Sequence, residues 1–337
     1  MTDQAVSTVQ GAFKKFEQDT ARVPDDQNQA AKEVHPEIRK AVSDELSVAR
    51  HFLSGSYGRK TQAKRLKDVD IIVVLEDEDG QYRASASDTL EKVREAVSSS
   101  DLVKSTRVSV RAVKAFLHDY EFHVDIVPAL DPLLSGGLYL TRNIPGEGLD
   151  DWTLEDPESQ LEAATSKNKA TGGVYVPATR IIKAWNQRYE TVKPLRSYHA
   201  EAILWHSMNA EVDFEAAVLG FFDQAYAALA PGARTLVPGS STRFVDDRLS
   251  DDERAEARER VEKARVDAHE AASLEDVGAS LDAWTKVFGQ SFPSPSTDPE
   301  SVAASLRSGT AKAVGAGFNI GTSGGRSPIE GRSWSRY

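Results

Sequence analysis

The spacing of apolar residues changes along the chain and predicts where helices give way to strands. Up to about residue 53 the apolar residues recur at helical spacing, with turn signals around Pro24 and Pro36. Residues 68–75 then form an apolar run rich in β-branched side chains, which ends in the polar turn EDEDGQ. Such a run is typical of a buried strand. The first part of the chain is therefore predicted to contain packed helices followed by a strand.

Both kinds of spacing occur in the next segment. Residues 88–98 (DTLEKVREAVS) have the helical period, whereas 106–113 and 122–127 have the shorter period of strands. These patterns predict a mixed region with a small sheet.

After about residue 150 the strand patterns disappear. Helical patterns occur at 176–189, 198–209, 214–230, 250–271 and 274–288. From residue 291 Ser, Gly and Pro dominate, which is typical of a disordered tail. We therefore predict an α+β fold, with a sheet-containing lobe and its N-terminal helices over 1–150, an all-helical C-terminal lobe over 151–292 and a flexible tail over 293–337.

Composition excludes several classes of site. The chain has no cysteine, so it has no disulfide, no thiolate zinc site and no cysteine nucleophile. Its formal net charge of -11 disfavours tight non-specific binding of DNA or RNA. The N-terminus lacks the apolar core of a signal peptide, and the apolar run at 71–75 is too short to span a bilayer. We expect a cytoplasmic protein that does not bind a membrane.

Three acidic residues stand in apolar strand patterns. Asp68 and Asp70 are two apart, so their side chains lie on the same face of the predicted strand, and Asp125 stands alone in the later one. Carboxylates in such a setting are costly to bury without a cation. If the two strands are neighbours, the three acids suit two hard divalent ions, Mg²⁺ or Mn²⁺, that bind a triphosphate.

Residues before the first strand suit phosphate binding. Gly55 allows close backbone approach, and Ser56 adds a hydroxyl donor. A basic cluster follows, which would concentrate an anionic nucleotide: Arg59, Lys60, Lys64, Arg65 and Lys67.

Simpler interpretations of each motif stay open. A Gly-Ser pair is often a turn, two acids near a strand end are often solvated, and a basic run is often an exposed loop. A lone histidine beside packed residues is more often structural, so His123 and His199 are assigned no chemistry. The Gly-Ser pair, the two acids on one strand and the single acid on a later strand occur in an order and at a spacing that together favour an enzyme that acts on nucleotides.

The segment GSYGRKTQAKRLKDVDIIVVL resembles the nucleotidyltransferase superfamily, whose pattern is GS, about a dozen residues, two acids on a strand and a third acid on a later strand. More narrowly it is similar to the bacterial CD-NTases (SMODS family), relatives of cyclic GMP-AMP synthase and oligoadenylate synthase. The resemblance covers most of residues 40–292. It implies a bilobal, polymerase beta-like fold whose catalytic lobe is 1–150.

Downstream segments extend the resemblance to three further residues. RIIKAWNQR and LRSYHAEAI match family segments in which a lysine and a serine touch the triphosphate and a tyrosine stacks on a base. Carried over, these are Lys183, Ser197 and Tyr198. Ser197 is also a suitable helix N-cap, Lys183 could extend from a packed face, and Tyr198 could be ordinary packing, so these alternatives stay open.

The resemblance implies an enzyme that makes cyclic di- or trinucleotide second messengers from nucleoside triphosphates, in CBASS-type anti-phage defence, with two Mg²⁺ or Mn²⁺ ions and no nucleic-acid template. Its expected partners are an effector protein that responds to the product and accessory regulatory proteins, including ligase-like proteins that act on C-termini. The alternative is a nucleotidyltransferase that acts on RNA, protein or a small molecule. The base, the linkage and the ring size are not readable from the sequence.

Overall fold

The computed structural model describes residues 8–132, 137–144, 148–189 and 193–295. The elements before and within the sheet are α1 (Val9–Phe16) with a following π-helical turn (Glu17–Ala21), α2 (Asp25–Glu45), β1 (Val48–Ser54), α3 (Gly55–Gly58), β2 (Asp68–Leu75), α4 (Ala86–Ser98), β3 (Val103–Val108), β4 (Val113–Leu117), β5 (His123–Leu130), β6 (Leu138–Ile144) and β7 (Leu149–Glu155). The later helices are α5 (Pro157–Ala170), α6 (Tyr175–Gln187), α7 (Ser197–Ser207), α8 (Phe214–Ala228), α9 (Asp251–Ala272) and α10 (Val277–Phe288).

The strands of the described residues form one mixed sheet. Its order is β1, β2, β5, β4, β3. The pair β2 and β5 is parallel, and the other pairs are antiparallel. β4 pairs with β5 as far as Ile126, and β6 takes over at Ala129 and Leu130 before pairing with β7. This order places the two strands that carry the predicted acids side by side.

β2 is a continuous apolar run because both of its faces are buried. Ile71 and Val73 pack with α2 and α4 in one core cluster, whereas Ile72 and Val74 pack with β6 in another. A strand fixed on both faces cannot slip in register without exposing its apolar side chains. The positions of its two acids are therefore set by packing.

The helical part has its own core, which also takes in the first helix. Phe13 of α1 lies 5.0 Å, between ring centroids, from both Trp284 and Phe292. The helix start at α9 is fixed by a capping box, in which Ser250 and Glu253 each bond the other's backbone N–H. No helix in the described ranges is long and apolar enough to cross a membrane.

The predicted α+β class is confirmed, and the five helices expected after residue 176 occur as α6 to α10. One strand prediction and one helix prediction are wrong. The segment 106–113 is not one strand but spans the turn between β3 and β4, where Ser109 N–H donates to the carbonyl of Ala112 at 2.8 Å. Residues 48–53, expected to be helical, form most of β1, which is held by pairing with β2.

Strands also continue past residue 150, since β7 extends to Glu155 and pairs with β6. The lobe boundaries at 150 and 292 stay predictions. Of the predicted tail, only residues 293–295 lie within the described ranges.

Candidate active site

The three predicted acids lie on neighbouring strands. On β2, Asp68 and Asp70 share one face, because the fully buried Val69 between them points to the other. In the parallel register Asp70 stands opposite Asp125 of β5. The condition set by the sequence, that these two strands be adjacent, is met.

Asp70 is held where its ionised form is disfavoured. Burial raises its pKa to about 6, and the negative charges of Asp68 and Asp125 act in the same direction. The positive charges of Arg59 and Lys114 oppose this effect but do not cancel it. The carboxylates are therefore a concentration of like charge that a cation would relieve.

Asp125 has partners of its own. Lys114, opposite it on β4, donates from Nζ to Oδ2 at 2.7 Å. Nε2 of His123 lies 3.2 Å from Oδ1. Burial raises the pKa of Asp125, but the contacts with His123 and Lys114 outweigh burial and lower it overall. Oδ1 is nevertheless buried and is not in hydrogen-bonding geometry with any group of the described chain.

The donor set fits a divalent metal ion in its chemistry. Among the described residues, there is no group of three or more acidic or histidine side chains that is already arranged to hold a metal ion. A hard cation would offset the burial and the neighbouring negative charges that raise the pKa of Asp70, and Oδ1 of Asp125, which accepts no hydrogen bond in good geometry, would gain a ligand bond. Metal binding by Asp68, Asp70 and Asp125 thus stays a prediction that these residues fit.

Gly55 lies directly against Asp70. Its φ of +58° is in the left-handed region, and a Cβ added there would come within 1.7 Å of Oδ2 of Asp70. Only glycine allows this backbone to approach the carboxylate so closely. The predicted glycine and the predicted acid therefore form one local structure.

Five of the predicted residues line a single pocket of about 250 Å³: Ser56, Asp68, Lys183, Ser197 and Tyr198. Four cationic residues line it as well, namely Arg59, Arg65, Lys67 and Lys193. Such a lining suits a polyanion. Gly55, Asp70 and Asp125 are not part of this lining.

Ser197 is the first residue of α7 and not its cap. Arg196 occupies the N-cap position, and no side chain caps this helix. The alternative that Ser197 serves as the helix N-cap is therefore wrong. Its exposed side chain faces the pocket that it shares with Ser56.

Lys183 is 4% exposed. Its Nζ donates to Oε2 of Glu201 at 2.8 Å and to the carbonyl and hydroxyl of Thr61 at 2.9 and 3.2 Å. Tyr198 is partly exposed, and the guanidinium of Arg59 lies 4.7 Å from its ring centroid. Tyr198 thus presents a ring at the pocket, while Lys183 is bound within the protein.

A second pocket, of about 790 Å³, is lined by charged residues of both signs. They are Arg111, Glu155, Arg196, Arg243, Asp247 and Arg248. Two of these residues lie near the smaller pocket, since the charges of Arg243 and Glu155 act on Tyr198.

Residues 7–168 match the model of the Second Messenger Oligonucleotide or Dinucleotide Synthetase domain, SMODS. The matched residues include Asp68, Asp70 and Asp125. The expected class of enzyme, a nucleotidyltransferase, is thereby confirmed. A curated relative, named as a probable cyclic nucleotide synthase of Bacillus cereus, is 25% identical over 284 residues, 71% of this chain and 81% of the relative.

Solved structures of CD-NTases have a fold similar to that of this chain. CdnC of E. coli with ATP has a TM-score of 0.65 at 20% identity over 83% of this chain and 98% of that one. CdnG of Bradyrhizobium diazoefficiens with GTP has a TM-score of 0.68 at 12% identity over 90% and 100%. DncV of Vibrio cholerae, a cyclic AMP-GMP synthase with a linear intermediate, has a TM-score of 0.57 at 14% identity over 72% and 70%. The expected nucleotidyltransferase fold is confirmed.

Sequence reasoning missed several residues of this site. Lys114 and Glu201 were assigned no role, and His123 was set aside although it contacts Asp125. A signal for Glu201 was present, because a lone acid in the apolar segment AEAILW needs a buried partner. His199 fits the structural interpretation: burial lowers its pKa to about 4, and its Nε2 lies 3.1 Å from Thr235 Oγ1.

Proposed function

We propose that this chain is a cyclic oligonucleotide synthase, which joins nucleoside triphosphates and closes the product into a cyclic di- or trinucleotide. The observation that carries the proposal is the carboxylate edge of Asp68, Asp70 and Asp125, which adjoins a cationic pocket and lies in the segment that matches the SMODS domain. The joining reaction forms a bond between a ribose hydroxyl and an α-phosphate, and pyrophosphate leaves.

Each part of the site has a role in this reaction. Asp68, Asp70 and Asp125 would hold Mg²⁺ or Mn²⁺, two ions in our expectation, which supply charge neutralisation and lower the pKa of the attacking hydroxyl. The hydroxyls of Ser56 and Ser197, which both line the pocket, donate to phosphate oxygens.

Two further roles concern the base and the charge of the substrate. The ring of Tyr198 stacks on the base, for which its partly exposed position is suitable. The cationic residues of the lining neutralise the triphosphate and favour its entry into an otherwise acidic protein.

Ring closure needs room for a second nucleotide. The pocket of about 790 Å³ has residues whose charges act on Tyr198 of the smaller pocket, and it offers both arginine donors and carboxylate acceptors. A pocket of that size is within the range that binds whole small molecules. It supports successive joining of free nucleotides, with no nucleic-acid template.

The relatives support the product and the setting. They include a probable cyclic nucleotide synthase, CdnC with ATP and a CdnC:HORMA complex. By that similarity we propose that the product is a second messenger in CBASS-type anti-phage defence, read by an effector protein, and that accessory regulatory proteins act on this chain. The cytoplasm, which supplies the substrates, remains the expected location.

The test is incubation of the purified protein with Mg²⁺ or Mn²⁺ and all four ribonucleoside triphosphates, followed by phosphatase treatment and mass spectrometry. We expect a phosphatase-resistant cyclic product that is absent with the Asp68→Asn, Asp70→Asn variant. Transfer of nucleotide to RNA, protein or a small molecule, without a cyclic product, would retain the chemistry and overturn the cyclic assignment.

A further inference from the structure

A buried ionic cluster fastens the loop after α3 to the helical part of the chain. Its members, which we name the Glu201 cluster, are Arg59, Thr61, Lys183 and Glu201. Glu201 is 1% exposed and Thr61 is fully buried. Because the members come from the loop, α6 and α7, the cluster joins the segment that carries Ser56 to the helices that carry Ser197 and Tyr198.

Glu201 makes the central contacts of this cluster. Its Oε1 accepts from Nε of Arg59 at 2.6 Å, and its Oε2 accepts from the hydroxyl of Thr61 at 2.9 Å and from Nζ of Lys183 at 2.8 Å. Burial raises the pKa of Glu201, but Lys183 and Arg59 outweigh burial and lower it to about 2. The carboxylate is therefore ionised and fully engaged at neutral pH.

The ammonium of Lys183 has no N–H left for a phosphate in this arrangement. A lysine offers three donors. Lys183 has three acceptors within reach, two on Thr61 and one on Glu201. Contact with a triphosphate would require one of these bonds to break inside the protein.

Arg59 connects the cluster to the pocket. Its guanidinium is bonded to Glu201, lies 4.7 Å from the ring centroid of Tyr198, and lowers the pKa of Asp70 by its charge. Arg59 and Lys183 line the pocket, whereas Glu201 does not. Any effect of Glu201 on nucleotide binding must therefore pass through these two cations.

We propose that Glu201 is a positioning residue, which holds Arg59 and Lys183 at the floor of the pocket and, through Arg59, sets the orientation of the Tyr198 ring. Lys183 acts in the same way, as a fixed cation of the cluster. This inference rests on the proposed function, because the Tyr198 ring that is positioned through Arg59 is the group that would stack on the base.

The test compares Glu201→Gln with wild type and with Val261→Ala, a destabilising change in the same helical core that does not touch the cluster. Thermal unfolding, the Kd for ATP with Mg²⁺, and KM and kcat for triphosphates are measured on the folded proteins. We expect Glu201→Gln to raise both Kd and KM by about tenfold, with a smaller change in kcat. Val261→Ala should lower the Tm and leave Kd and KM unchanged.

A purely structural role would lower the Tm of Glu201→Gln and leave its Kd for ATP within about twofold of wild type, and this result would overturn the inference. If Glu201→Gln does not fold, the same comparison of Kd is made with Thr61→Val, because this variant removes one hydroxyl of the cluster and keeps the shape of the side chain.

A wild type that binds ATP but makes no product would sink the proposed function, and the Kd comparison would still decide this inference. A wild type that does not bind ATP would overturn both.

Discussion

Two groups of buried carboxylates in this chain have opposite electrostatic states. At the carboxylate edge, like charges on neighbouring strands, together with burial, raise the pKa of Asp70 to about 6. In the Glu201 cluster two cations lower the pKa of Glu201 to about 2. The protein compensates Glu201 with its own cations, and within the carboxylate edge it compensates Asp125 but leaves Asp70 under-compensated. The difference indicates that the edge is built for a ligand and the cluster for structure.

The largest expected effect on stability comes from removing the compensated charge. Glu201→Gln leaves Lys183 and Arg59 buried without their counter-ion, which we expect to lower the free energy of unfolding by about 3 kcal/mol. Because the folded-state pKa of Glu201 is depressed from 4.5, this stability is present above pH 4.5 and is lost as pH falls toward 2. Urea unfolding at several pH values measures it.

The matched control is Glu270→Gln, which breaks the exposed pair with Lys286, whose Nζ lies 2.9 Å from Oε1 of Glu270. Exposed pairs contribute less than about 1 kcal/mol. Equal losses for the two variants would contradict the view that the Glu201 cluster is the compensated, structural group.

The second prediction is a variant that is more stable than the wild type. Asp70→Asn should increase the free energy of unfolding by about 3 kcal/mol at pH 7.5 without divalent ions, because the folded protein disfavours the ionised carboxylate. The pKa of Asp70 is raised from 3.8 to about 6, so this penalty is absent below pH 3.8 and complete above pH 6. Denaturant titrations of both proteins across this range measure the difference.

The gain from Asp70→Asn should shrink when Mg²⁺ is added, since a bound cation stabilises the ionised carboxylate of the wild type. A variant less stable than wild type at pH 7.5 in EDTA would contradict the assignment of Asp70 as an under-compensated charge.

The third prediction tests whether Asp70 needs a glycine at position 55 beside it. Gly55→Ala places a Cβ 1.7 Å from Oδ2 of Asp70 and should lower kcat/KM by about 100-fold, because the acid is displaced. Gly80→Ala is the control, since Gly80 also has a positive φ, +76°, but a Cβ there meets nothing within 4 Å. Steady-state kinetics of the two variants should differ, and equal activities would sink the idea.

The sequence alone predicted those elements whose pattern of apolar residues lies within one short segment. The apolar run of β2 marked a strand buried on both faces, and the helical periods after residue 176 predicted α6 to α10 close to their observed ends. The adjacency of Asp70 and Asp125 needed one assumption about strand order, which the sheet meets.

The missed features depend on partners distant in sequence. β1 follows a helix and is mostly exposed, so no alternation marked it, and pairing with β2 makes it a strand. Arg59 and Glu201 are 142 residues apart, so no spacing rule could connect them. The role expected for Lys183 came from resemblance, and only the structure shows its ammonium bonded to Thr61 and Glu201.

The most direct test of the central claim, that the carboxylate edge performs the chemistry, is pyrophosphate release from nucleoside triphosphates by wild type, Asp70→Asn and the exposed-site control Asp101→Asn. The account predicts that Asp70→Asn is folded, is at least as stable as wild type, and releases pyrophosphate at least about 1,000-fold more slowly, while Asp101→Asn matches wild type. Pyrophosphate release by Asp70→Asn at the wild-type rate would contradict it.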